Sequence, residues 1–304
     1  MPWGTHQSVP DERNAGVVVY VNGEFVPRDR ATVSVFDSGY LVGDGVWEGM
    51  RLHRGRFLHL DRHLDRLFGT AGAVGLEIGK TRDELAEILD ETVRRNRMET
   101  GVHVRLMITR GTKQTPSQDP RLTVAGPTIV VIAEHKVADP EVGQRGIRLH
   151  TASIRRPPPE TLDQRWNCHS KIHEVAALNE ALAAGADEAL MLDVHGNVAT
   201  CNATNFFMVV HGEVWTSTGL HCLNGITRGL VIEVGREDGI PVLERDFGLD
   251  DVYGADEAFV TGTFGGLTPV VAVDGHSIGD GAPGPMTARL TGLYRAVLEE
   301  DARS

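Results

Sequence analysis

Residues Trp166–Phe207 read WNCHSKIHEVAALNEALAAGADEALMLDVHGNVATCNATNFF, and the order of their patterns decides the fold. From His173 to Ala184 the apolar residues Val175, Leu178 and Leu182 fall at helical spacing, and Gly185 follows as a left-handed helix-ending residue. Glu188–Asp193 reads as a buried strand, His195-Gly196-Asn197 as its turn, and Asn205–Val210 as the next strand. Lys171 therefore stands just before a helix, at the edge of a sheet. The chain has four lysines, Lys80, Lys113, Lys136 and Lys171, among 30 basic residues. A guanidinium cannot become a nucleophile, whereas a desolvated amine can form a Schiff base with an aldehyde.

The pattern K…LNEALAAGADEALMLD.HGNV…N.FF resembles the catalytic segment of the class IV aminotransferases, the fold-type IV pyridoxal-phosphate enzymes. That group includes branched-chain and D-amino-acid aminotransferases, (R)-selective amine transaminases and aminodeoxychorismate lyase. The likeness runs from about Val18 to Ala296. It implies an α+β fold of two domains, a small α/β domain and a larger barrel-like domain with flanking helices. It also implies pyridoxal 5′-phosphate as cofactor, Lys171 as the Schiff-base lysine, and a homodimer.

Composition is consistent with that class. The 304 residues suffice for two domains, and 41% hydrophobic with 24% charged is ordinary for a soluble globular chain. A net charge of −12 argues against a nucleic-acid partner, because no basic cluster is present to neutralise phosphates. Cys168, Cys201 and Cys222 form an odd set without paired spacing, as expected of reduced cytoplasmic thiols. The first residues, MPWGTHQSVPDERN, lack a charged-then-apolar signal, and no apolar run reaches membrane length. Residues 1–15 read as a tail, 16–135 as the small domain, 136–146 as the linker and 147–304 as the cofactor domain.

Within the small domain, Asn22-Gly23 in GVVVYVNGEFV signals a type I′ hairpin. Leu60–Ala71 is an amphipathic helix with Leu60, Leu64, Leu67 and Phe68 on one face, and Thr81–Asn96 is a second with Leu85, Ile88, Leu89 and Val93. His59 and His63 stand four apart, but no third ligand accompanies them, so no metal is expected. Val102–Thr109 alternates as a strand that puts His103 and Arg105 on one face. In the second domain Leu223–Arg228, LNGITR, opens a helix whose first N–H groups, capped by a threonine, form an anion site.

The resemblance assigns roles to these positions. Arg66, Ile226, Thr227 and Thr263 would form the phosphate cup. Tyr40, His103, Arg105, Phe264 and Gly265 would line the substrate pocket. Thr200 falls where the family carries the glutamate that meets the ring nitrogen, and a neutral hydroxyl cannot hold that nitrogen protonated by charge. The substrate features match no one subgroup throughout. The resemblance implies an aminotransferase acting on a small apolar amino acid or amine with a 2-oxo acid. The alternatives are a lyase of the aminodeoxychorismate type and a weakly catalytic cofactor-binding relative. Borohydride reduction and peptide mapping should place the cofactor on Lys171, and a label on Lys80, Lys113 or Lys136 would remove Lys171 from this role.

Overall fold

The computed structural model describes residues 4–5 and 8–303. The chain divides into two compact units, one made of 9–137 with 166–171 and the other of the described residues before 9, with 138–165 and 172–303. One boundary between the units falls at 137/138. Two features differ from expectation. Residues 166–171 belong with the first unit because their backbone bonds to one of its strands. The linker itself contains a helix, Pro140–Arg145, which Asp139 caps through the N–H of Glu141.

The first unit holds one sheet of six strands: β1 (Val18–Val21), β2 (Glu24–Pro27), β3 (Gly45–His53), β4 (Arg56–Phe57), β5 (Val102–Thr109) and β6 (Thr128–His135). Their order is β2-β1-β6-β5-β3-β4. Asn22 and Gly23 both take positive φ, 46° and 97°, as the β1–β2 hairpin requires. Between β2 and β3 lies a short helix, α1 (Ser38–Val42), capped by Asp37, and Tyr40 lies on it. The helices α2 (Leu60–Ala73) and α3 (Arg82–Arg95) cover one sheet face. Leu64, Leu67, Leu85, Leu89 and Val93 pack there against Val46, Met50, Leu52, Val104, Leu106 and Ile108. Thr81 and Glu84 close a capping box at the start of α3.

The second unit opens with α4 (Pro140–Arg145), β7 (Ile147–Thr151) and α5 (Ile172–Ala183). There follow β8 (Glu188–Leu192), β9 (Val198–Cys201), β10 (Asn205–Val210), β11 (Glu213–Thr216) and α6 (Ile226–Glu237). It ends with β12 (Val242–Glu244), α7 (Leu249–Tyr253), β13 (Glu257–Gly262), β14 (Gly266–Val273), β15 (His276–Ser277) and α8 (Pro285–Asp301). The sheet order is β12-β11-β10-β13-β14-β7-β8-β9, with β15 on β14. The terminal β9 bends back toward the middle of the sheet, where the Cys201 N–H donates to the Thr204 carbonyl just before β10 at 2.9 Å. This curl gives the barrel-like character.

The helix α5 turns a different face inward from the one its large apolar residues suggest. Val175 and Leu182 are exposed, while Glu174, Ala177 and Ala181 are buried. The alanines pack with Ala186, Ala189 and Met191 in one buried cluster. Glu174 is accommodated there by an ion pair with the buried Arg156 at 2.9 Å.

Leu106, fully buried in the first unit, should lose about 2–5 kcal/mol of stability on replacement by alanine. Thr81→Ala, which removes an exposed cap, should lose about 1 kcal/mol. Denaturant unfolding checks both, and equal losses would contradict this assignment of core and surface.

Candidate active site

The segment carrying Lys171 is docked on β3. The Trp47 N–H donates to the Asn167 carbonyl at 3.1 Å, and the His169 N–H donates to the Gly45 carbonyl at 2.9 Å. Gly45 permits this approach, since a Cβ there would lie 2.8 Å from both His169 Nδ1 and the Ile108 carbonyl oxygen. Trp47 Nε1 adds a bond to the Cys168 carbonyl at 3.0 Å. Ser170 Oγ donates to the Gly43 carbonyl at 3.3 Å, which sets the end of α1 against the segment. Lys171 is half-buried and directly precedes α5.

Beneath this segment lies a charged cluster. Glu48 has no exposed surface. Arg66 donates to both its oxygens, from Nε at 2.8 Å and from Nη2 at 2.7 Å. His63 Nδ1 lies 2.6 Å from Oε2, and Asn167 Nδ2 lies 3.4 Å from Oε1. Burial by itself would raise the Glu48 carboxyl, but the charge and hydrogen bonds of Arg66, with His63, hold it below the usual glutamate range. The expected phosphate arginine is thus oriented by a carboxylate. His63 serves that carboxylate.

Arg105 and His103 occupy the sheet face opposite the helices, as the alternation of Val102–Thr109 requires. The Arg105 guanidinium lies 3.9 Å from the centre of the Trp47 ring, and burial lowers its pKa despite the fields of Glu48 and Glu134. Among the described residues no carboxylate forms an ion pair with it. His103 sits over Gly49, where a Cβ would come within 3.1 Å of its Nε2. Tyr40 is 73% exposed on α1.

In the second unit the helix α6 begins one residue before Thr227, and its cap is Gly225, not the expected threonine. No side chain caps α6, so the N–H groups of its first turn remain available for an anion. A Cβ at 225 would lie 2.3 Å from Asn205 Oδ1, so a larger residue there would have to displace that side chain. Thr227 is buried within that turn, and its Oγ1 lies 3.5 Å from the Tyr294 hydroxyl. The Tyr294 ring also faces Gly266, in the β13–β14 hairpin that holds Thr263, Phe264 and Gly265. Tyr294 therefore links the helix start to that hairpin.

Thr200 is buried, and its Oγ1 donates to the Thr204 carbonyl at 2.8 Å. Its one hydrogen is thereby committed, so toward any ligand it acts as an acceptor. Thr204 Oγ1 in turn donates to Glu188 at 2.8 Å, and the Thr5 hydroxyl bonds the other Glu188 oxygen. Burial pushes the Glu188 carboxyl up, against those two hydroxyl bonds.

Glu48, Asn167 and Tyr294 belong to these clusters although nothing in the sequence marks them. A glutamate amid VWEGMR and an asparagine amid WNCHS carry no periodic or motif signal. Their roles arise from contacts with residues 15 to 120 positions away.

The two buried glutamates have opposite pH signatures. Glu48, with a depressed pKa, contributes stability above the usual glutamate pKa that is lost as pH falls through its folded value. Glu188, with a raised pKa, contributes stability below the usual value that is lost as pH rises. Glu188→Gln should therefore gain on the wild type as pH rises from about 5 to 8, by up to about 1.4 kcal/mol per unit. Melting curves across that range test it, and a constant difference would contradict the raised pKa.

Residues 45–273 match the family model described as amino-transferase class IV. The chain is 40% identical over 294 residues to branched-chain-amino-acid aminotransferase-like protein 2 of Arabidopsis thaliana, covering 96% of this chain and 52% of that protein. It thus spans about half the length of that relative. It is 37% identical to a D-alanine aminotransferase of Listeria monocytogenes, with 94% of this chain and 96% of that protein covered. Among solved structures, the T.th. branched-chain amino acid aminotransferase with pyridoxamine 5′-phosphate superposes with a TM-score of 0.88 at 32% identity, over 93% of this chain and 95% of that one. With the fold and the site residues above, these matches place the chain in the class IV aminotransferase family.

Proposed function

We propose that this chain is a pyridoxal-phosphate-dependent aminotransferase that moves an amino group between a small apolar amino acid or primary amine and a 2-oxo acid. The observation that carries the reading is Arg105, a cation stacked on Trp47 with no carboxylate partner among the described residues. A charge held in that way suits the carboxylate of an amino or oxo acid. The residues present fit a phosphorylated cofactor: Arg66 offers a guanidinium, α6 offers uncapped N–H groups, and Thr227 and Thr263 offer hydroxyls.

When bound, pyridoxal 5′-phosphate supplies the carbonyl that receives the amino group and the ring that withdraws electrons. Lys171 would hold it covalently, and then take and return the proton at the amino carbon of the substrate. Arg66, Ile226, Thr227 and Thr263 would bind the phosphate. Thr200 would accept a hydrogen bond at the ring nitrogen. Arg105 would orient the substrate carboxylate, with His103, Tyr40, Phe264 and Gly265 bounding its side chain.

Among the described residues no helix is long and apolar enough to cross a membrane. We assign the protein to the cytoplasm, in keeping with its three unpaired cysteines. A homodimer is supported by the exposed apolar residues Val35, Phe36, Tyr40, Ile172, Val175 and Leu182. The net charge of −12 disfavours nucleic acid as a partner.

A half-reaction screen tests the function: amino donors are mixed with the holoenzyme and the cofactor absorbance is followed. Conversion by small apolar donors, reversed by a 2-oxo acid, is the expected result. Release of pyruvate without an acceptor would instead support the lyase, and no conversion by any donor would support a weakly catalytic relative. Arg105→Ala should raise KM for the oxo acid about tenfold or more while leaving KM for a simple amine nearly unchanged. Equal small effects on both would remove Arg105 from substrate binding.

A further inference from the structure

Residues 1–15 read as a tail, yet Thr5 is only 5% exposed. Its hydroxyl donates to Glu188 Oε1, and its N–H bonds the same carboxylate. A Cβ on the preceding Gly4 would lie 3.0 Å from the Asp187 carbonyl oxygen, so the chain here runs against the main chain where β8 begins. Ser8 forms an antiparallel bridge with Ala138, just ahead of α4. The described residues before 9 are thus fastened to the second unit at two places.

Thr5 stands between two segments that carry assigned site residues. On one side, the other Glu188 oxygen accepts from Thr204 Oγ1 at 2.8 Å. The Thr204 carbonyl in turn accepts from Thr200 Oγ1 at 2.8 Å and from the Cys201 N–H at 2.9 Å. Thr204 is held at both its side chain and its carbonyl, and Thr200 is held with it. On the other side, a Cβ on Gly265 would lie 3.5 Å from the Thr5 carbonyl oxygen and 3.7 Å from the Thr5 Cβ. No side chain separates Thr5 from the turn of the β13–β14 hairpin. A buried carboxylate that loses a donor pays heavily for the unmet lone pair, so Glu188 would shift without the Thr5 hydroxyl, and Thr204 is bonded to it.

We propose that Thr5 is a positioning residue of the cofactor site. Through Glu188 and Thr204 it holds Thr200, assigned to the ring nitrogen. By direct packing it holds the hairpin that carries Thr263, assigned to the phosphate. The inference rests on the aminotransferase reading above, and it gives the N-terminal segment a part in that site without a cofactor contact of its own.

The test measures the dissociation constant of pyridoxamine 5′-phosphate, which has no aldehyde for Lys171, on the full chain by its change in absorbance. Denaturant unfolding under the same conditions sets the folded fraction of each variant. Thr5→Val, which keeps the shape and drops the hydroxyl, should weaken binding about fivefold or more. Thr5→Ser, which keeps the hydroxyl, should stay within about twofold of the wild type. Thr5→Ala, which sets no methyl group against the Glu188 carboxylate, takes the place of the valine variant should that one not fold. A loss of stability with unchanged binding by the folded fraction would make Thr5 a fold contact only, and overturn the proposal. Equal weakening in the valine and serine variants would overturn the hydroxyl bond as its basis. Both results leave the cofactor reading intact, because the wild type still binds. A wild-type chain that does not bind the probe overturns the cofactor reading, and this inference with it.

Discussion

The buried carboxylate of Glu48 organises the first unit. Taking a charge out of water costs several kcal/mol, and that cost is offset only when the charge is paired and its lone pairs are met. Arg66 supplies a two-point ion pair, His63 a short contact and Asn167 a side-chain amide. Those partners come from α2 and from the segment 166–171, so one charge ties β3 to a helix and to a stretch far along the chain. The apolar side of the same sheet packs against α2 and α3. Its other side presents Arg105 stacked on Trp47. Trp47 also bonds the Lys171 segment, so the sheet positions the proposed substrate cation and the proposed lysine through one side chain.

The second unit uses a buried carboxylate differently. Glu188 is held by the hydroxyls of Thr5 and Thr204, so burial dominates and favours its neutral form. From it a chain of bonds runs through Thr204 to Thr200. Thr200 is thereby left with lone pairs only, which explains how a threonine at that position still presents a defined polarity. The contrast between Glu48 and Glu188 follows from the charge of the partners that hold them, because both are buried to a similar degree.

Much of the secondary structure was legible in the sequence. Asn22-Gly23, the alternation of Val102–Thr109 and the Thr81 box lie within a few residues of what they determine, and the corresponding elements form where those signals fall. Where local signals were weighed against packing, they failed. Val175 and Leu182 of α5 point outward, and the buried face of the helix carries Glu174, Ala177 and Ala181 instead. The helix α6 starts from Gly225, which packs against the distant Asn205, rather than from Thr227. Residues 136–146, expected as a linker, hold the helix Pro140–Arg145, which Asp139 caps.

The sequence by itself determined the α+β class, the identity of most strands and helices, and the family to which the chain belongs. Each of these rests on periodicity, turn chemistry or an ordered string of residues, all written along one dimension. Only the tertiary structure decided that Arg66 is held by Glu48, that Thr200 is an acceptor, and that Thr5 reaches both Glu188 and the hairpin turn at Gly265. Hydrogen bonding and burial depend on distances between residues far apart in the chain. A short-range pattern carries no record of those distances.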